Sequence, residues 1–159
     1  MNQRILDLIF FWGKTRESTR MDKLYLQAII NLGKDASPLD EAEDELGCVD
    51  TVEEIYQKEF GRYIQPVKTL STSKLYQTLL SHPDFVQRNY PKRGAIVISP
   101  TGYSTKGSLH GHVGICGDCD LIMSNDSRSG LWLENYSNRS WNLYFNGKLG
   151  FPVKYFHLK

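Results

Sequence analysis

Cys48 stands directly after Gly47 in "ELGCVD" and directly before Val49, Val52, Ile55 and Tyr56, apolar residues that recur at helical spacing until Gly61 supplies a left-handed stop. The spacing predicts a helix with Cys48 in its first turn. A thiol there feels unpaired backbone N–H groups and the positive end of the helix dipole, both of which favour thiolate over thiol. Thiolate chemistry also needs a base. His112 follows "LHG" and opens the apolar run "HVGI", at an expected strand start beside a glycine-rich loop, where an imidazole reaches a cleft without entering the core. Taken singly, a cysteine at a helix start is ordinarily a small buried side chain and a histidine at a strand edge an ordinary surface residue. Their order, with "PKRGAIVIS" between them, makes a constellation of nucleophile and general base.

The elements that must position this pair read as helices first and strands second. Residues 21–32 carry Met21, Leu24, Ala28 and Ile29 on one helical stripe, with Gly33 as the stop. Ser37 and Pro38 look like an N-cap and first helical position opening a short acidic turn. A further helix is expected from Ser73 to about Ser81, with Pro83 as breaker. Residues 94–99, 112–116, 120–125, 131–136, 141–145 and 151–158 are short, β-rich and separated by turn residues, so they read as strands. The order is α+β: N-terminal helices packed on a small antiparallel sheet, one domain over residues 1–159 in which residues 1–20 form an N-terminal helical extension.

Composition narrows the function classes. The 159 residues are 40% hydrophobic and 23% charged, with 19 basic and 18 acidic side chains. That suits one real core, and a formal charge of +1 gives no field to steer the chain to nucleic acid or an anionic membrane. No run approaches a membrane span, and Asp7 interrupts the apolar stretch near the start, a poor signal peptide. Synthesis in the cytoplasm and no stable membrane insertion are the expectations. Three cysteines, an odd number, argue against a disulfide framework.

"LGCVDTVEEIY", "PKRGAIVIS" and "GHVGI" resemble the three landmarks of the papain-like peptidoglycan hydrolases, the NlpC and CHAP families, and "IMSNDSRSGLWLENYSNRSW" is similar to small phage lysins of that kind. The likeness runs from about residue 24 to the C-terminus. It implies a papain-like Cys-His-polar hydrolase that cuts an amide bond in bacterial wall peptides, as endopeptidase or N-acetylmuramoyl-L-alanine amidase, with no cofactor. Peptidoglycan is the implied partner, reached through holin-dependent release or on a virion. Two departures stand out: Ala95 follows Gly94 where many relatives have Asp, and these 159 residues leave no stretch expected to serve as a wall-binding module.

A third polar group should orient His112 and stabilise its charged form, and the family usually supplies it from the next strand. The candidates are Ser124, Asn125 and Asp126. A tight hairpin over Cys119 and Asp120 would pair Gly114 with Asn125 and put Asn125 on the His112 side; a one-residue change in the turn would nominate Asp126 or Ser124 instead. Tyr103 and His110, in the long loop before His112, are the expected substrate contacts, and Lys92, Arg93 and Lys106 lie where they meet substrate carboxylates or simply solvent. The aromatic residues Trp132, Tyr136, Trp141, Tyr144 and Phe145 read mainly as packing, with a sugar-binding groove as the alternative. "CGDC" invites zinc, but His112 is about 13 Å along an extended strand from Cys116, so no metal site is expected and Cys116 and Cys119 read as a strand and a turn residue. The competing class is a catalytically idle binding or structural module with the same fold.

Overall fold

Thr19 begins the first helix with a reciprocal cap: its hydroxyl accepts from the Asp22 N–H, and the Asp22 carboxylate accepts from the Thr19 N–H, both at 3.1 Å. This computed structural model describes residues 3–4, 19–36 and 47–159. The expected turn at Ser37 and Pro38 lies outside the described residues, as does all but residues 3 and 4 of the expected N-terminal extension's helix. Helix α1 (Arg20–Ile30) buries Met21, Leu24, Tyr25, Ala28 and Ile29. Helix α2 (Gly47–Phe60) buries Cys48, Val49, Val52, Ile55 and Tyr56, and Gly61 follows at φ 74° as the spacing predicts. Helix α3 (Thr72–Ser81) starts from Ser71, whose hydroxyl accepts from the Lys74 N–H.

Six antiparallel strands follow: β1 (Phe85–Arg88), β2 (Ile96–Ser99), β3 (His112–Cys116), β4 (Leu121–Asn125), β5 (Trp132–Ser137) and β6 (Lys154–Leu158). Their order across the sheet is β1-β6-β2-β3-β4-β5, so the strand that begins with His112 is central. The chain is therefore α+β, with helices laid on an antiparallel sheet. Strand β1 was not foreseen. It is four residues long at a sheet edge, and pairing with β6 at the far end of the sequence is what makes it a strand.

Helices α1 to α3 cover one face. Trp132, fully buried, donates from its indole to the Ala28 carbonyl of α1 at 3.1 Å, and Tyr76 of α3 meets Phe156 of β6 edge-on. The other face is covered by helix α4 (Asn138–Trp141), which runs into a π-helix (Asn142–Lys148). Residues 141–145 are thus not the strand their composition suggested. Ser137 and Ser140 form a reciprocal cap, and Trp141 and Phe145, four apart, are both buried, so a helix puts both rings on one side where a strand would also do so but without the cap.

Arg93 fastens the two ends of this arrangement. It pairs with Asp22 of α1 at 3.3 Å and with Asp118 of the β3–β4 turn at 3.1 Å, and lies 5.1 Å from the Tyr25 ring centroid. Its charge serves packing rather than a substrate carboxylate. The cross-sheet contact at Trp132 gives a direct test of the helical layer: Trp132→Phe should cost about 1–3 kcal/mol, seen as a lower denaturant midpoint with an unchanged slope.

Candidate functional site

Cys48 reaches the sheet because Gly47 lets it. A Cβ at Gly47 would lie 2.1 Å from the Ala36 carbonyl oxygen and 2.7 Å from the Asn125 side-chain nitrogen, so only glycine permits this approach. Ala36 is itself held at the edge of β5 through the Gly130 carbonyl, and its own carbonyl accepts from Thr51 at 3.1 Å. Cys48 is consequently 3% exposed, with its sulfur against the Val113 N–H, the amide directly following His112. Burial pushes this thiol up to about 11, and the N–H groups of Val113, Val49 and Cys48 itself only partly oppose that rise. The expected thiolate at the helix start is overruled by desolvation. The resting group is a neutral thiol.

His112 leaves β3 on the face that carries Ser99, its partner in β2. Its ring stacks on Trp141 (centroids 5.3 Å) and Phe145 (5.6 Å), with Tyr136 edge-on at 6.2 Å. Burial holds the imidazole down at about 4, against the opposing effects of a hydrogen bond to the Asn125 carbonyl and the charge of Asp126. At neutral pH the ring is unprotonated.

The register corrects the expected geometry of Asn125. Gly114 pairs with Ser124 rather than Asn125, because the hairpin turn is one residue longer than the tight one expected: Gly117 bonds Leu121, and Cys119 and Asp120 both adopt positive φ. Asn125 therefore points to the helical face, where its side chain lies against Gly47, and it holds the imidazole through its carbonyl. Ser124 shares the His112 face but donates to Asn135 at 2.7 Å. Asp126 accepts from Ser129 and acts on the imidazole by charge. Cys48 and the Asn125 side chain thus stand on the helical face and the His112 ring on the opposite one: the sulfur meets the Val113 amide, the imidazole meets the Asn125 carbonyl, and the expected side-chain contact between Cys48 and His112 is not formed among the described residues.

Two cavities open around these residues. One, of about 300 Å³, is walled by Cys48, Ser71, Thr72, Thr101 and His110; the other, of about 510 Å³, by His112, Asn125, Asp126, Tyr136, Tyr144 and Phe145. His110 and Gly111 line both and form the divider. A hydroxyl pair fixes this divider: Thr72 and Thr101 are 2.8 Å apart, and Thr101 accepts the Gly111 N–H at 3.0 Å. His110 lines both cavities, whereas Tyr103, 40% exposed, lines neither of these two; its ring packs edge-on to Tyr76 and its hydroxyl bonds Gln77. Nothing in the sequence marks Thr72 and Thr101 as partners, because only the fold brings them together. The aromatic wall around His112 has a faint signal, the four-residue spacing of Trp141 and Phe145.

Cys116 is buried and Cys119 exposed, a strand and a turn residue as expected. Lys106 bonds the Gly147 carbonyl. No family model matches the chain, and no curated protein matches it either.

Two measurements check this site. Gly47→Ala must push α2 off the sheet and should destabilise the fold by roughly 1–3 kcal/mol. A thiol near 11 loses its proton only in strong base, so site-resolved iodoacetamide labelling of Cys48 should keep accelerating above pH 9, where an ordinary cysteine levels off.

Proposed function

We propose that the chain is a papain-like cysteine hydrolase that cleaves an amide bond in bacterial cell-wall peptides, acting as a phage lysin released through a holin or carried on a virion. The observation that supports this reading is the docking of a helix-start cysteine onto the strand that His112 opens, with the imidazole held by the Asn125 carbonyl beside an open cavity. In this mechanism Cys48 is the nucleophile and His112, unprotonated at neutral pH, its general base. Because the imidazole stacks on Trp141 and Phe145 on the face of the sheet opposite Cys48, the proton transfer requires the ring to leave that stack. N–H groups at the start of α2 take up the developing oxyanion. Asn125 and Asp126 steady the imidazolium that forms, by a carbonyl dipole and by charge. The proton then goes to the leaving amine, and water releases the acyl group.

The near-complete burial of Cys48 favours a second reading, a non-catalytic module of the same fold. Purified walls treated with the wild type, Cys48→Ala and His112→Ala separate the two. The hydrolase reading expects a fall of at least about 1,000-fold in released amines for either variant. Equal clearing by wild type and Cys48→Ala, with circular dichroism unchanged, would sink it.

A further inference from the structure

We infer that the paired hydroxyls of Thr72 and Thr101 supply a hydrogen-bond donor to the oxyanion that forms when Cys48 attacks its substrate, in addition to the N–H groups at the start of α2. This inference rests on the hydrolase reading above and adds a catalytic group to it. A count of hydrogens carries it. Thr72 Oγ1 accepts the Thr101 N–H at 2.9 Å, and Thr101 Oγ1 accepts the Gly111 N–H at 3.0 Å. The two oxygens stand 2.8 Å apart, so one hydroxyl donates to the other. Each hydroxyl carries a single hydrogen, and only one of the two is used inside the pair. The other has no acceptor among the described residues, whichever oxygen carries it.

That donor belongs to the cavity of the nucleophile. Thr72 and Thr101 both line the cavity of about 300 Å³ that holds Cys48, and among the described residues no carboxylate in its walls repels an oxyanion. The pair is also fixed before a substrate arrives, as an oxyanion donor must be. Thr72 is 4% exposed, and each oxygen is oriented by a backbone N–H. Gly111 secures the second of these: a Cβ there would lie 2.1 Å from the Ser99 carbonyl oxygen and 2.5 Å from the Thr101 nitrogen, so only glycine brings its N–H this close. Ser71 lines the same cavity, but a single N–H, that of Lys74, holds its hydroxyl. Ser71 and Thr72 are the cap and first residue of α3, whose positive end adds to the field there.

In the step itself the sulfur bonds to the carbonyl carbon, and the π pair of the carbonyl moves onto its oxygen. The threonine O–H donates a hydrogen bond to that oxygen and keeps its proton. The pair then returns, the C–N bond breaks, and the leaving amine takes the proton that began on sulfur. Because the hydrogen bond strengthens as charge develops, it lowers the barrier more than it tightens substrate binding.

The test compares two reactions of the same sulfur in the full chain. Release of new amino termini from purified walls passes through an oxyanion; alkylation of Cys48 by iodoacetamide at one fixed pH is a displacement that forms none. Removing one hydroxyl leaves the other's O–H free, so Thr72→Val and Thr101→Val should each slow release by about twofold to tenfold. Thr72→Val with Thr101→Val should slow it at least about 100-fold and leave alkylation within about twofold. Thr72→Ser with Thr101→Ser restores both hydroxyls and should recover release to within about tenfold of the wild type. A pair that only braced the backbone would change both reactions together. If circular dichroism shows the double valine variant unfolded, the single variants decide, through the ratio of release to alkylation. A ratio unchanged in the valine variants, or a serine variant as slow as the valine one, overturns the oxyanion assignment while Cys48-dependent release keeps the hydrolase reading. Release that survives Cys48→Ala removes the hydrolase reading, and this assignment with it.

Discussion

The close approach at Gly47 governs the rest of this molecule. With the Ala36 carbonyl 2.1 Å from where a Cβ would be, α2 can settle onto the ends of β3 and β4 only through a residue with no side chain. Its next residue, Cys48, is thereby driven into the core, against the backbone that continues from His112. Had the helix stood off by the width of a methyl group, the sulfur would be wetter, its proton looser, and the contact with β3 lost. One missing atom thus sets both the position and the acidity of the thiol.

The same packing sets the electrostatics. Burial works in opposite directions on an acid and a base, raising the thiol and lowering the imidazole, because in each case it is the charged form that loses water. Both partners consequently rest neutral. The polar backbone groups around them, the Val113 N–H and the Asn125 carbonyl, oppose that tendency and stabilise charge once it forms. Two neutral groups therefore rest beside backbone dipoles whose sign favours the charged form of each.

Around this centre the sheet divides the labour. Its helical face carries Trp132 and the docked α2, while its other face carries the aromatic stack of His112, Trp141 and Phe145. The divider at His110 and Gly111 stays in place because Thr72 and Thr101, from α3 and from the loop after β2, meet beneath it. A side-chain hydroxyl pair therefore braces the residues that the two cavities share, and its two members come from different parts of the chain.

Local periodicity was enough to place α1, α2 and the central strands, and to put Cys48 in a first helical turn and His112 at a strand start. These are near-neighbour properties: apolar spacing, caps and turn residues act within a few positions of themselves. Residues 141–145 misled because aromatic residues suit strands and helices alike, and the deciding cap at Ser137 and Ser140 lies just upstream. Strand β1 and the Thr72–Thr101 pair had no local signature, since each depends on a partner distant in sequence. The face that Asn125 presents turned on a single residue in a hairpin, for pleated strands invert side with every step. The residue types able to do chemistry were set by the sequence alone; the thiol's protonation, the orientation of the imidazole and the face of the sheet on which each stands were decided only in three dimensions, because desolvation and register are properties of what packs alongside a residue, not of the residue.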